Sequence, residues 1–383
     1  MSMTQPAGFT ASGVAAGIKN SGGLDLALIV NNGPRFDAAG VFTTNRISAA
    51  PVRWSQAALA DGQAKAVILN SGGANACTGA PGDDDAAAMA DHTAQALNIN
   101  AQDVQVCSTG LIGERLPMDR VLAGIPQAVA ALDTDGSEDA AKAIMTTDTR
   151  HKVAASTGEG YSVAGMTKGA GMIAPGMATM LAVVTTDAVV EASLAQQLLR
   201  EAVRTTFNRA DSDGCMSTND TVVLMASGVS GVTPDHDEVQ ELIRDVCASL
   251  ARQIIGDAEG STRDIAVTVH GAASEQDGET VARTVTRSNL FKTAMFGKDP
   301  NWGRIISAVG TTEAAFDPTT IDVAVNDVMV CRNAGIGEDR SLVSFDDREV
   351  TVDIYLKAGD HEVTVWTNDL SYDYVRENAE YSS

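Results

Sequence analysis

Short apolar runs alternate with longer stretches of helical period along this chain, and that alternation restricts the fold more than any other feature. The runs Leu26–Val30, Ala66–Leu69, Val104–Cys107, Met180–Thr185, Thr221–Ala226 and Ile265–Val269 read as strands. Asp85–Leu97, Met118–Leu132, Leu194–Phe207 and Glu238–Ile255 carry the 3.6-residue spacing of amphipathic helices. The expected class is α/β. From Thr319 onward the pattern becomes alternating, over Ile321–Val330, Glu349–Leu356 and Glu362–Trp366, which predicts an antiparallel portion near the C-terminus. No repeat, low-complexity segment or Pro-rich linker forces a domain boundary.

Composition removes several classes of function. Of 383 residues, 27 are basic and 50 acidic, giving a net charge of −23. A field of that sign repels phosphate backbones and anionic membranes, so neither nucleic acid nor a membrane is an expected partner. The first basic residue is Lys19, and no apolar run approaches the roughly 18 residues of a spanning helix. Cys77, Cys107, Cys215, Cys247 and Cys331 are scattered and lack CxxC spacing, as expected of reduced, buried thiols in a cytoplasmic protein.

Several motifs carry possible chemistry. Gly169-Ala-Gly171-Met-Ile-Ala174 fits a dinucleotide fingerprint, but Pro175 and Gly176 would break the helix that such a motif must open. Asp211 to Asp220 is acidic yet lacks the ligand spacing of a calcium loop, and the five isolated histidines lack zinc spacing. No metal is expected. Cys107-Ser-Thr109-Gly110-Leu-Ile-Gly113 follows a strand. It reads either as a turn whose hydroxyls cap the next helix or as an oxyanion hole. Thr179 opens a strand, where a Thr is ordinarily a β-branched sheet residue. It becomes a nucleophile if cleavage in front of it frees its α-amine as the base.

At this point the chain resembles a known family. Lys168-Gly-Ala-Gly-Met-Ile-Ala-Pro-Gly-Met-Ala-Thr-Met-Leu181 is similar to the self-cleavage segment of the ornithine acetyltransferases. Matching blocks occur in order over nearly the whole chain: Val41–Arg46, Asn70–Cys77, Cys107–Gly113, Ile144–Thr149, Ser217–Thr221, Asp257–Gly260, Asp299–Arg304 and Asn378–Ser383.

The resemblance implies a layered α/β sandwich like that of the self-processing aminopeptidases, with a mixed C-terminal portion. It implies cleavage between Ala178 and Thr179, giving an α chain 1–178 and a β chain 179–383 that begins with the nucleophile Thr179. Thr109 and Gly110 would form the oxyanion hole. Lys168, Thr179, Glu259, Asn378 and Ser383 match substrate-binding positions, as does one threonine of the pair Thr146 and Thr147, of which Thr147 is favoured; Lys168 is suited to a carboxylate and Glu259 to an amino group. The implied reaction moves the acetyl group of N2-acetylornithine to glutamate through acetyl-Thr179, without a cofactor. Some family members also accept acetyl-CoA as donor. The implied assembly is a tetramer of two α and two β chains. The competing expectation is a self-processing aminopeptidase or amidohydrolase that passes the acyl group to water.

Overall fold

A computed structural model describes residues 2–174 and 180–380. They divide into two compact units, one holding residues up to Asn208 together with Cys215–Ile254, the other Arg209–Gly214 and residues from Ile255 onward.

The first unit contains two sheets. In one, β1 (Phe9–Val14), β2 (Leu26–Asn31), β4 (Ala66–Ser71) and β5 (Val104–Thr109) lie in the order β1-β2-β4-β5, with only β4 and β5 parallel. The other has the order β3-β9-β8-β7-β6, built from β3 (Asp37–Phe42), β6 (Lys152–Thr157), β7 (Ser162–Lys168), β8 (Leu181–Thr186) and β9 (Thr221–Ala226). Here β8 and β9 are parallel and the other pairs antiparallel. Ala27, Ile29, Val67, Leu69 and Cys107 of the first sheet meet Met166, Leu181, Val183, Val223 and Met225 of the second in one core. Strands covered on both faces need continuous apolar runs, which is why β2, β4, β5, β8 and β9 are the most legible in sequence.

Helices cover the outer faces. Leu28, Ile68 and Val106 pack against Met89 of α2 (Gly79–Leu97) and Val121 and Ile125 of α3 (Met118–Ala130). The short α1 (Ala50–Ala58) adjoins β5, while α4 (Ser137–Ala143) packs on β1 from the inner side, with Ala140, Ala141 and Ala143 in the core between the sheets. On the second sheet, α5 (Ala192–Thr205) lies against β3, and Leu250 of α6 (His236–Gly256) approaches Gly165 of β7. The unit is a four-layer αββα sandwich.

The second unit has a six-stranded sheet of order β13-β12-β11-β14-β10-β15. Its strands are β10 (Asp264–Ala272), β11 (Asp322–Val325), β12 (Val328–Arg332), β13 (Gly335–Ile336), β14 (Glu349–Tyr355) and β15 (His361–Asn368). The expected antiparallel pattern holds except between β10 and β14, which run parallel. The expected segment Ile321–Val330 is a hairpin, turned at Asn326 and Asp327 with φ of 45° and 65°. Both angles suit a type I′ turn. One sheet face packs on α7 (Glu275–Thr286), α8 (Asn289–Phe296) and α9 (Trp302–Val309). The last described element is α10 (Tyr372–Glu380).

Two sequence expectations need correction. Cys77 and Cys215 are exposed rather than buried, because each lies in a loop outside the strands. The helix expected to begin at Asp85 begins at Gly79. Pro81 sits in its first turn, where a missing N–H costs nothing. No helix among the described residues is long and apolar enough to cross a membrane.

Candidate active site

The end of β5 is shaped by the Asn70–Cys77 block. After β4 the chain turns through Gly72 and Gly73, and both amides donate to the Thr109 carbonyl, at 2.9 and 3.0 Å. A trans peptide holds its C=O and the following N–H in opposite directions. Anchoring the Thr109 carbonyl therefore turns the Gly110 N–H away from Gly72 and Gly73. No described residue accepts a hydrogen bond from it. Gly110 has φ +138°, and a Cβ there would lie 2.4 Å from the Gly73 nitrogen. Only glycine satisfies both conditions.

Thr109 ends β5 and is buried. The next helix begins at Met118 with no side-chain cap, so the helix-capping reading of Thr109 does not hold. Its hydroxyl oxygen instead accepts a hydrogen bond from Lys168 Nζ at 3.4 Å. Asn219 fixes the same corner, since its Nδ2 donates to the carbonyls of Ser108 at 2.9 Å and Ala74 at 2.6 Å.

Lys168 ends β7 and is itself buried. Its neighbour Asp148 has no exposed side-chain surface. Asp148 Oδ1 accepts from Lys152 Nζ at 2.6 Å and from the Gly169 N–H at 2.7 Å. Asp148 Oδ2 accepts from the Thr146 N–H at 2.9 Å and lies 3.9 Å from Lys168 Nζ. One carboxylate thus joins the Thr146–Thr147 turn to the beginning of the Lys168–Leu181 segment. Burial alone would raise the Asp148 pKa, but the charges of Lys168 and Lys152 outweigh it and bring the value down to about 2. Lys19 approaches too, donating to the carbonyls of Met145 at 2.6 Å and Leu24 at 3.1 Å. Burial lowers its pKa, with Asp25 opposing and Lys168 adding to the effect. Two buried lysines on one carboxylate leave excess positive charge, which suits a carboxylate ligand or a developing oxyanion.

The expected cleavage pair, Ala178 and Thr179, lies outside the described residues. On its near side Lys168 pairs with Leu181, the first residue of β8, and Leu181 pairs in turn with Thr221 of β9. Residues 169–174 form no helix, as the rejection of the dinucleotide motif requires.

Two further expected residues meet in the second unit. Asn378 of α10 donates to Glu259 Oε2 at 3.0 Å, and both are accessible. The Asp257–Gly260 turn lies close against the start of α10. Gly260 has φ +64°, and a Cβ there would stand 2.1 Å from the Tyr374 nitrogen. Ser383 lies outside the described residues.

The structure therefore brings Thr109, Gly110, Lys168, Thr146 and Thr147 together in the first unit, and Glu259 with Asn378 in the second. Sequence reasoning gave no role to Asp148, Asn219 or Asp220. Each falls inside a block matched to the family, which was the available signal.

The fold and these positions define an α/β-sandwich protein with a buried, positively charged corner at the ends of β5 and β7. The chain belongs to the ArgJ family, whose model matches residues 10–383. It is 57% identical over 383 residues to the arginine biosynthesis bifunctional protein ArgJ of Thermobifida fusca, covering all of both chains. The protein of the same name from Streptomyces avermitilis is also 57% identical over 383 residues, again with both chains fully covered. The solved arginine biosynthesis bifunctional protein argJ of Bacillus halodurans is 36% identical with a TM-score of 0.50, covering 51% of this chain and 97% of that one.

Proposed function

We propose that this chain transfers the acetyl group of N2-acetyl-L-ornithine to L-glutamate, yielding L-ornithine and N-acetyl-L-glutamate. Thr179 is the nucleophile, freed by self-cleavage after Ala178. The observation that carries the reading is the Thr109–Gly110 corner, where a hydroxyl held by Lys168 adjoins an N–H turned away from its own loop. Acyl exchange places negative charge on the acetyl oxygen in both half-reactions, and two preset donors are what that charge needs.

In the first half-reaction the Thr179 hydroxyl attacks the acetyl carbon and its proton passes to the α-amine. The amide bond then breaks and ornithine leaves with that proton. In the second, the glutamate amine attacks acetyl-Thr179 and the hydroxyl is restored. An ester intermediate makes the scheme ping-pong. Lys168 and the charge around it hold a substrate carboxylate, and Glu259 with Asn378 receives a substrate amino group. No cofactor is required, since acetyl passes directly between nucleophiles, and acetyl-CoA is a second donor for the same hydroxyl. The Bacillus halodurans chain, about half as long as this one, supports division into two chains. Two copies of each product form the proposed tetramer.

The test measures acetylornithine consumption with and without glutamate. Dependence on glutamate, with one N-acetylglutamate formed per ornithine, supports transfer. Equal consumption in both cases would make the protein a hydrolase.

A further inference from the structure

Lys19 lies in the loop between β1 and β2, and a buried carboxylate shapes that loop. Asp25 has no exposed surface and accepts the backbone N–H groups of Ala16 at 2.7 Å, Ile18 at 2.6 Å and Lys19 at 3.0 Å. Three such bonds to one carboxylate fix the backbone at Lys19. Its side chain then runs against the loop that anchors the Thr109 carbonyl. A Cβ added to Gly72 would stand 3.3 Å from Lys19 Cγ, and the Gly72 N–H is one of the two on that carbonyl. At the far end Nζ donates to the carbonyl of Met145, the residue before the Thr146–Thr147 turn, at 2.6 Å. Lys19 therefore bridges the Gly72 loop and the Thr146–Thr147 turn.

An ammonium has three N–H donors. Two of those on Lys19 go to the Met145 and Leu24 carbonyls, and the third has no acceptor among the described residues. No described carboxylate forms an ion pair with it. Asp25 is occupied by backbone N–H groups, while Asp148 pairs with Lys152 and faces Lys168. The side chain is half-buried, so water and salt screen its charge less than at an open surface. Burial disfavours its ammonium form, Asp25 and Asp148 oppose this only in part, and Lys168 adds to it. A ligand carboxylate placed here would supply both the missing acceptor and the missing charge.

The two substrates of the proposed reaction differ in this respect. Acetylornithine carries one carboxylate and glutamate two. Lys168, beside Thr109, suits the carboxylate that both share. We propose that Lys19 is a specificity-determining residue that binds the side-chain carboxylate of glutamate through its remaining N–H. This rests on the proposed function, because it names the group that selects the acceptor. Glutamine would offer the same N–H a neutral amide oxygen, and a hydrogen bond without the second charge is weaker.

The experiment measures transfer kinetics of wild type and Lys19→Met, with glutamate and with glutamine as acceptor. In a ping-pong scheme kcat/KM for each substrate reports its own half-reaction. Lys19→Met keeps a stem against Gly72 and removes the charge. It should lower kcat/KM for glutamate by about tenfold, the scale of one hydrogen bond between charged groups, through KM rather than kcat. The values for acetylornithine and glutamine should stay within about twofold. Equal losses for acetylornithine and glutamate, or for glutamate and glutamine, would overturn the inference and leave Lys19 a brace of its loop. So would an unchanged value for glutamate. A second readout needs no variant: methylation of wild-type lysines by formaldehyde and a borane reductant, followed by peptide mass. Glutamate should protect Lys19, and glutamine at the same concentration should not. Equal protection, or none, would overturn the inference even if Lys19→Met failed to fold. A wild type that consumes acetylornithine equally without glutamate overturns the proposed function and this inference together. Wild-type transfer with unselective losses overturns this inference alone.

Discussion

The Lys168 ammonium lies 3.4 Å from the Thr109 hydroxyl oxygen, with both side chains buried. An ammonium can only donate, so it occupies a lone pair of that oxygen and leaves the O–H to donate elsewhere. Thr109→Ala should therefore lower kcat by about 100- to 1,000-fold while changing KM far less. Thr109→Ser should retain most of the activity. Steady-state kinetics on both variants checks this, and near-normal turnover in Thr109→Ala would remove the residue from the reaction.

Gly110 carries the companion donor and tolerates no side chain. Gly110→Ala meets an unfavourable φ of +138° and a contact of 2.4 Å with the Gly73 nitrogen. Displacing Gly73 would also release the Thr109 carbonyl, which its amide helps to anchor. The variant should lose at least about 2 kcal/mol of stability, within the range of known backbone-strain substitutions. Denaturant unfolding measures it, and a wild-type midpoint would contradict the packing described for this corner.

Asp148 predicts a pH dependence with a definite sign. Its folded-state pKa, about 2, is below the ordinary carboxyl value because Lys168 and Lys152 overcome its burial. The associated stability is complete above the unfolded pKa of roughly 3.9 and is lost as pH falls through the folded value, an effect of about 2–3 kcal/mol. Asp148→Asn should lack that acid-range loss. At neutral pH it should be less stable by about 3–5 kcal/mol, since two buried lysines would lose their carboxylate. Urea titrations from pH 7 to pH 2 compare the two proteins, and parallel stability profiles would rule out the buried pairing.

How far the sequence could be read depended on burial pattern. Strands β5 and β9 are buried throughout and carry the apolar runs of Val104, Val106 and Cys107 and of Val222 to Ala226, so they and the Thr109–Gly110 turn at the end of β5 are visible in the sequence. Strand β7 is interrupted by Gly165, both β6 and β7 carry hydroxyl residues, and Gly158 and Gly160 lie in the short turn between them, which hides their period. The burial of Asp148 was hidden with them, because the lysines that neutralise it come from those two strands. Taken alone, an Asp among threonines looks like a solvated turn. Helix α10 has no buried residues, so no apolar stripe marks it. Division into two units was also concealed, since the short segment Arg209–Gly214 joins the second unit from within the first unit's stretch of chain.

In the second unit, Gly260 offers a separate test of the proposed substrate-amine position. Gly260→Ala would place a Cβ 2.1 Å from the Tyr374 nitrogen and push on the first turn of α10. The hydrogen bond between Asn378 and Glu259 depends on that helix position. KM for acetylornithine should rise by roughly tenfold, the scale of one lost hydrogen bond to a charged group. Self-cleavage should proceed normally, and an unchanged KM would separate α10 from substrate binding.

The central claim is that one threonine hydroxyl both cuts the chain and carries the acetyl group. The most direct measurement is the intact mass of purified wild type and Thr179→Ala under denaturing conditions. Wild type should give two chains of roughly 18 and 21 kDa, as expected from a cut between Ala178 and Thr179. Thr179→Ala should give one chain of 39.7 kDa. A wild type that remains a single chain, or a Thr179→Ala variant that is cut normally, would contradict the account.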